Sequence, residues 1–253
     1  MADTTLDVLY ATRAYGRRPV VSTLDGTRDA ALDLQLAVLD RFAAGGEPHA
    51  GWKVSYTSGG SRDRMGPGYR PFGYILAGHV FASGATVVLD GEFPFVLEPE
   101  LCLILGAPLR GTVSRDAARA AVAAVAPAFE INQSRLPADA TDTARLADGA
   151  GQWGIVTGTP NAAAVTAEAL ERTAVEVFDG DRPAARSPEV PDMDDPFASL
   201  ASLSALLGAH GRSLRTGDRV ITGSFTRVPV TGPALWRAVF AGVGEVSVDV
   251  RQS

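Results

Sequence analysis

The stretch Pro94–Leu105, PFVLEPELCLIL, sets two glutamates into an otherwise apolar run that favours a buried β-strand. Residues i and i+2 of a strand point to the same face, so Glu98 and Glu100 project together beside a core-building segment. Two like charges in that position repel each other and require compensation. A divalent cation is the simplest compensation, and oxygen-only ligands suit Mg²⁺ or Mn²⁺. The alternative is a solvated strand edge.

A third carboxylate lies in similar surroundings. Glu130 occurs in Pro127–Ile131, PAFEI, again between apolar neighbours. Three carboxylates without a nearby histidine would leave coordination positions open for water and for a chelating substrate. The alternative is a structural ion pair between Glu130 and Arg135. The residues alone leave both interpretations open.

Lys53 is the only lysine among 23 basic residues, and the others are arginines. It lies in Gly51–Ser58, a stretch of apolar and small residues where a solvating charge is not expected. Lysine can lose its proton when desolvated, whereas a guanidinium effectively cannot. Lys53 is therefore a candidate proton-transfer group or a compact cation for a carboxylate. The alternative is that one basic position happens to be lysine.

The amino-acid composition restricts the classes to which the protein can belong. The chain has 253 residues, 46% hydrophobic content and a net charge of -6, which suit a packed core and argue against nucleic acid as the main partner. Its single cysteine, Cys102, excludes an internal disulfide and a cysteine metal cluster. Neither a signal peptide nor an apolar run of about 18 residues is present, so we expect a soluble cytoplasmic protein that does not bind a membrane.

The spacing of apolar residues and the positions of glycine and proline predict an α+β fold with a substantial sheet. Helices are expected over residues 27–44, 115–125 and 197–209. Strands are expected over residues 86–89, 94–105, 219–222 and 246–250. The Pro- and Asp-rich segment 182–196 is typical of an exposed loop. The chain divides into a helical N-terminal region, residues 1–50, and a β-rich body, residues 51–253.

Five motifs follow one another along nearly the whole chain. They are Asp29–Gln35, similar to an A-Y-x-x-Q helix; Gly51–Ser58, similar to G-x-K-x-G-x-T-S; Leu97–Leu101, with E-x-E; Phe129–Arg135, similar to E-I-x-D-S-R; and Leu214–Ser224, with L-x-x-G-D-x-V-x-T-G-S. In this order and spacing they resemble the 2-keto-4-pentenoate hydratase / 4-oxalocrotonate decarboxylase family of the fumarylacetoacetate hydrolase superfamily.

The resemblance implies a fold, a metal and a reaction. It implies a mixed β-roll core, a homo-oligomer, and one Mg²⁺ or Mn²⁺ held by Glu98, Glu100 and Glu130. The implied partner is a small-molecule 2-oxo or 2-enol acid that chelates the metal. The implied enzyme is a lyase that hydrates or decarboxylates a 2-hydroxydienoate-type substrate, because a metal on the C2 oxygen stabilises an enolate.

The same resemblance suggests roles for other residues. Lys53 would move the proton or bind the substrate carboxylate. Ser224 would hold the carboxylate, or it is a plain turn serine. Arg135 would orient Glu130.

The sequence departs from the family pattern around the inferred pocket. Proline replaces an expected acid/base aspartate at Pro71, and other departures occur at Ser55, Tyr56, Gln133 and Asp148–Gly151. We expect a substitute proton donor or anion clamp among Tyr69, Tyr56 and Arg70. The candidate catalytic residues are thus Lys53, Ser224 and Tyr69, and the candidate substrate-binding residues are Tyr56, Arg70, Gln133 and Arg135.

These departures keep two alternatives open. The chain could be a divergent family member in a secondary pathway that dehydrates, cyclises or isomerises a larger, bulkier or less polar substrate. It could also be a non-catalytic partner subunit in a complex with a pathway enzyme.

Overall fold

The computed structural model describes residues 4–166, 170, 173–187 and 192–252. The helices are α1 (Thr5–Tyr15), α2 (Arg28–Ala44), α3 (Arg115–Ala120), α4 (Asp142–Ala147) and α5 (Pro196–Ala209). The strands are β1 (His49–Val54), β2 (Phe72–Leu76), β3 (Val80–Ala82), β4 (Ala85–Leu89), β5 (Phe95–Leu105), β6 (Val122–Gln133), β7 (Gln152–Thr157), β8 (Val175–Asp179), β9 (Arg182–Arg186), β10 (Arg219–Ser224), β11 (Val228–Val230), β12 (Ala234–Phe240) and β13 (Gly244–Gln252).

The larger sheet has eight strands in the order β2-β1-β10-β5-β6-β7-β3, with β11 paired to β5. The β5–β6 antiparallel pair lies within it and places Glu98 directly opposite Glu130. Alternation along β5 separates two apolar clusters. Leu97, Leu101 and Leu103 face the main core, while Cys102 belongs to a smaller buried cluster.

The smaller sheet has five strands in the order β4-β13-β12-β8-β9. Its strands alternate, so that Val246, Val248 and Val250 of β13 are buried in the main core and the residues between them are half-buried. Two mixed sheets with few helices confirm the predicted α+β fold.

A close approach between two strand backbones explains the glycine at position 51, in the stretch Gly51–Ser58 that contains Lys53. Gly51 of β1 lies opposite Arg219 of the parallel strand β10. A Cβ atom at this position would lie 2.0 Å from the Arg219 carbonyl oxygen, so only glycine fits without moving a strand. This approach fixes β1 against β10 and so positions Lys53 two residues further along β1.

The helices begin and end at ordinary caps. Helix α2 follows Thr27, whose side chain accepts a hydrogen bond from Ala30, as the sequence predicts for residues 27–44. Sequence analysis assigned no bounds to α1, which follows a capping box of Thr4 and Asp7 and ends at the left-handed Gly16. No helix in the described ranges is long and apolar enough to cross a membrane.

Two predictions of secondary structure are wrong in part. The helix expected over 115–125 ends at Ala120, and β6 begins at Val122. Alanine-rich sequence suits either element, and pairing of β6 with both β5 and β7 decides for the strand.

The segment 182–196 is likewise not a simple exposed loop. It contains strand β9, and its last two residues are Asp195, the N-cap of α5, and Pro196, the first residue of that helix. Residues 188–191 of this segment lie outside the described residues.

We predict a pH-dependent stability from His79. Its ring stacks on Trp153 with centroids 4.2 Å apart, and burial, aided by repulsion from Arg13, lowers the pKa of His79 from 6.5 to about 4. The unfolded chain therefore binds a proton between pH 6.5 and 4 that the folded chain excludes. The free energy of unfolding should fall as the pH decreases through this window, with a slope of up to about 1.4 kcal/mol per pH unit from this group.

Urea unfolding of the native chain and of His79→Phe at several pH values between 4.5 and 7.5 measures this contribution. The variant should show a shallower dependence on pH. Identical slopes would show that His79 does not stay neutral in the folded protein.

Candidate active site

A cavity of about 620 Å³ lies between β1, β5, β6, β10 and α4. Its lining includes the predicted residues Lys53, Tyr56, Glu98, Glu100, Gln133, Arg135 and Ser224. Residues from distant parts of the sequence therefore meet in one place, as the sheet order requires. None of the three histidines, all of them described, lines the cavity.

Three buried carboxylates meet beside this cavity. Glu98 and Glu100 project from the same face of β5, and Glu130 projects from β6 opposite Glu98. One carboxylate oxygen from each side chain lies within 4.8 Å of the other two. Glu130 is 0% exposed, and its Oε2 atom has no hydrogen-bond partner among the described residues.

Burial and mutual repulsion act on the two glutamates of β5. Burial, followed by repulsion from Glu130, raises the pKa of Glu98. The same causes, with repulsion from Glu98 added, raise the pKa of Glu100 well above its ordinary value. The backbone N–H of Gly223 partly offsets this by donating a hydrogen bond of 2.7 Å to Glu100. The cluster therefore has a strong electrostatic demand for a cation.

Lys53 supplies one buried positive charge. Its Nζ atom lies 2.6 Å from Oε1 of Glu130 and also donates to the carbonyl oxygen of Ala150 at 3.3 Å. Burial opposes the charged form, but attraction to the three glutamates, Glu130 foremost, outweighs it and raises the pKa of Lys53. The amine therefore carries its proton at neutral pH.

The ion pair between Glu130 and Arg135, left open by the sequence, does not form. Arg135 is buried and donates through Nε to Asp148 at 2.7 Å, and it also contacts the carbonyl oxygen of Gln152. Its Nη1 atom donates to Oε1 of Gln133 at 3.2 Å. Arg135 therefore orients Asp148 and Gln133, and the prediction that it orients Glu130 is wrong.

Ser224 lines the cavity with both of its donors engaged. Its backbone N–H donates to Oγ of Ser58 at 3.1 Å, and its hydroxyl donates to the carbonyl oxygen of Thr226. Direct binding of a carboxylate by Ser224 would require one of these hydrogen bonds to exchange.

Tyr69 and Arg70, by contrast, do not reach the cavity lining. The guanidinium of Arg28 lies 4.9 Å from the centroid of the Tyr69 ring, and Arg70 pairs with Asp63 and Asp194. Arg70 is thus held by two carboxylates of its own. The structure separates these two residues from the other candidates and does not support their predicted roles.

Three cavity residues were missed by sequence analysis. Asn132 donates to Oε1 of Glu130 at 3.2 Å and to the Ala150 carbonyl at 3.1 Å. Nε of Arg227 lies 2.8 Å from Oε1 of Glu98, and Arg145 lines the cavity from α4. The i+2 rule that pairs Glu98 with Glu100 would also have found Asn132, two residues after Glu130. Arg227 and Arg145 carry no such signal because only the tertiary fold brings them here.

The chemistry of this donor set is that of a divalent cation site. The three carboxylates supply only oxygen atoms, they lie close together, and one oxygen of Glu130 has no other partner among the described residues. Mg²⁺ and Mn²⁺ favour such ligands. The neighbouring ammonium of Lys53 adds a proton donor, so the arrangement can bind a chelating acid and protonate it.

Known proteins that are similar to this chain include hydratases and decarboxylases. The chain is 30% identical to a TodF product hydratase of Pseudomonas putida, over 95% of this chain and 92% of that protein. It is 28% identical to a 4-oxalocrotonate decarboxylase of a Pseudomonas species, over 82% of this chain and 80% of that protein. No family model matches the sequence.

A solved structure matches the fold closely. It is 4-oxalocrotonate decarboxylase from Pseudomonas putida G7, complexed with magnesium and adipate, with a TM-score of 0.88 and 21% identity. The match covers 97% of this chain and 95% of the other. Fold and relatives define the class of the hydratases and decarboxylases, which are lyases. The chain belongs to the 2-keto-4-pentenoate hydratase / 4-oxalocrotonate decarboxylase family.

We predict that Lys53→Met destabilises the metal-free protein by about 3 kcal/mol, because removing one partner leaves buried carboxylates without a compensating charge. Urea unfolding in EDTA at pH 7.5 measures the change. Arg212→Met is the matched control, since it removes an exposed arginine paired with Asp40 and should cost no more than about 1 kcal/mol. Equal effects of the two variants would contradict the compensating role of Lys53.

Proposed function

We propose that the chain is a divalent-metal-dependent lyase that acts on a 2-oxo or 2-enol acid by decarboxylation or hydration. The main evidence is the buried cluster of Glu98, Glu100 and Glu130, which lies next to the protonated amine of Lys53 and beside an open cavity. Family membership supports the same reaction class.

The metal would be Mg²⁺ or Mn²⁺, held by the three glutamates. One support is Oε2 of Glu130, which has no hydrogen-bond partner among the described residues. The other is the raised pKa of Glu98 and of Glu100, because a bound cation would offset the repulsion between the carboxylates. The solved relative complexed with magnesium has the same fold. When bound, the ion supplies stabilisation of negative charge on the substrate's C2 oxygen.

Protein groups would handle the proton. Lys53 holds a proton at Nζ, and hydrogen bonds to Glu130 and Ala150 fix the direction of its amine. Asn132 donates to the same two acceptors and so keeps them in place. Lys53 would deliver its proton to the carbon of the developing enolate, or orient the substrate carboxylate as an ammonium.

Decarboxylation is the better supported of the two reactions. Hydration needs a base that orients water, and the family aspartate is replaced by Pro71. Among the described residues that line the cavity, Asp148 is the one carboxylate besides Glu98 and Glu100, and Arg135 pairs with it at 2.7 Å. Loss of CO₂ requires charge stabilisation, which the metal would supply, and a proton donor, which Lys53 provides.

Several further properties stay predictions. They are a homo-oligomer, a complex with a pathway enzyme, a cytoplasmic location, and the division into regions 1–50 and 51–253. The alternatives of a redirected reaction and of a non-catalytic subunit are decided by the experiment below.

We predict that Glu98→Gln and Glu100→Gln lower Mn²⁺ affinity at least tenfold and turnover at least a hundredfold, because each removes one charged ligand. Mn²⁺ binding is measured by electron paramagnetic resonance, and folding by circular dichroism. Glu92→Gln is the matched control, since Glu92 is half-exposed at a weak ion pair with Arg18. Unchanged Mn²⁺ affinity in both site variants would contradict the metal assignment.

Turnover is predicted on 4-oxalocrotonate in preference to 2-hydroxypenta-2,4-dienoate, with loss of activity in EDTA. Loss of ultraviolet absorbance gives the rate, and NMR of the products separates decarboxylation from hydration. A hydrated product would reverse the preference argued from Pro71. Mn²⁺ binding without turnover of either compound would instead favour a redirected reaction or a non-catalytic subunit.

A further inference from the structure

Ser55 carries a hydroxyl without a hydrogen-bond partner at the active-site cavity. The residue is 3% exposed and belongs to the cavity lining, two positions after Lys53. Its Oγ atom is buried and has no hydrogen-bond partner among the described residues. A buried hydroxyl that stays unpaired is unfavourable, and alanine or glycine would fill this space without that cost. The hydroxyl therefore requires a partner that the described part of the chain does not supply.

The residue opposite Ser55 on the neighbouring strand cannot be that partner. The backbone N–H of Ser55 donates to the carbonyl oxygen of Pro71 at 2.8 Å, which continues the β1–β2 pairing by one residue beyond Val54 and Phe72. Pro71 has no N–H to donate in return, and its side chain has no polar atom. Both positions depart from the motifs that the chain resembles, and the pairing makes them neighbours in space. The polar side chain of this cross-strand pair is that of Ser55.

Other serine hydroxyls of the same cavity wall are already used by the protein. Oγ of Ser61 donates to the carbonyl oxygen of Ser58 at 3.1 Å, and Oγ of Ser58 accepts from the N–H of Ser224 at 3.1 Å. The hydroxyl of Ser224 donates to the carbonyl oxygen of Thr226. These three side chains hold the wall together, whereas the Ser55 hydroxyl makes no such contact with the described residues.

Residues on both sides of Ser55 contact the surroundings of the carboxylate cluster. Two positions before it, the amine of Lys53 pairs with one glutamate of the cluster. Two positions after it, Oγ1 of Thr57 lies 2.5 Å from where a Cβ atom of Gly223 would be, and the N–H of Gly223 donates to Glu100. Residues two apart on an extended strand share a face, so Ser55 faces the same cavity as Lys53. A ligand that binds at the cluster therefore lies next to Ser55.

Lys53 has one donor left for the same ligand. An ammonium group has three N–H bonds, and two of them are directed to Glu130 and to the carbonyl oxygen of Ala150, at 2.6 and 3.3 Å. No third acceptor contacts this amine among the described residues. A serine hydroxyl turns among three staggered positions and can follow a ligand in the cavity. An anionic group beside the cluster can therefore accept from both Ser55 and Lys53.

We propose that Ser55 is a further substrate-binding residue, whose hydroxyl and the third N–H of Lys53 donate to the carboxylate next to the 2-oxo group. This proposal rests on the proposed function, which brings a 2-oxo acid to the cluster. It makes Ser55 a determinant of affinity for the head group of the substrate, independent of the rest of the molecule. Because the motif that the chain resembles has glycine at this position, the additional donor is a property of this chain.

Isothermal titration calorimetry of the Mg²⁺-loaded protein with pyruvate, 2-oxobutanoate and 2-oxopentanoate tests the proposal. The three acids share the head group and differ only in the length of an apolar tail. Ser55→Ala should weaken the binding of each acid at least about fivefold, because a hydrogen bond to a charged group is lost. The three factors should agree within about twofold. An effect that grows with the tail and is absent for pyruvate would overturn the assignment to the head group.

Ser199→Ala is the matched control. Ser199 of α5 is 2% exposed, and its Oγ atom is also buried without a partner among the described residues, but the residue is not part of the cavity lining. Each substitution removes an unpaired hydroxyl, so neither should lower the urea midpoint of the metal-free protein. Ser199→Ala should leave every dissociation constant within about twofold of the native value. A lower midpoint for Ser55→Ala alone would show that its hydroxyl has a partner without any ligand, which would overturn the proposal.

Metal binding separates the role of Ser55 from the proposed function. Electron paramagnetic resonance should give the same Mn²⁺ affinity for the native chain and for Ser55→Ala, within about twofold. A parallel loss of Mn²⁺ and acid affinity would overturn a direct contact between Ser55 and the acid. Unchanged binding of all three acids to folded Ser55→Ala would overturn the proposal for Ser55 alone. Absence of Mg²⁺-dependent binding of any of the three acids to the native chain would overturn both this proposal and the proposed function.

Discussion

Desolvation of three neighbouring carboxylates is the constraint on which the rest of the site depends. The pairing of β5 with β6 puts Glu98 opposite Glu130, and the strand period adds Glu100 to the same group. Inside the protein their repulsion is weakly screened, so the fold must supply positive charge and hydrogen-bond donors. The amine of Lys53, the guanidinium of Arg227 and the N–H of Gly223 meet that demand in part. What remains unmet favours the binding of a divalent cation at the cluster.

The large sheet brings the Lys53 amine to the carboxylate cluster although their strands are not neighbours. Strand β10 separates β1 from β5, yet the Lys53 amine still reaches Glu130 on β6. The close approach of Gly51 to the Arg219 backbone keeps β1 and β10 in fixed register. Rigidity of this kind holds an amine and a carboxylate at hydrogen-bonding distance without help from a flexible loop. The cavity wall beyond them, around Ala150 and Arg145, is tied to the same amine by backbone hydrogen bonds.

Some features of the site could be predicted from the sequence, because they follow from the two-residue period of a strand or from the rarity of one residue type. Glu98 and Glu100 share a face by strand geometry alone, and Lys53 is conspicuous because every other basic residue is arginine. Sequence reasoning failed where a partner is chosen by tertiary contact. Arg135 is near both Glu130 and Asp148 in the sequence. It pairs with Asp148, and that choice depends on tertiary packing. Tyr69 and Arg70 lie close to the lysine motif in sequence, but Arg28, Asp63 and Asp194 hold them elsewhere.

The scarcity of lysine has a practical consequence. The chain contains a single ε-amine, that of Lys53, a residue that is only 6% exposed in the candidate active site. Reductive ¹³C-methylation would therefore place one side-chain isotope label in the whole fold, at the atom that contacts Glu130. Its NMR resonance would report on the ionisation and surroundings of the candidate active site without interference from any other lysine.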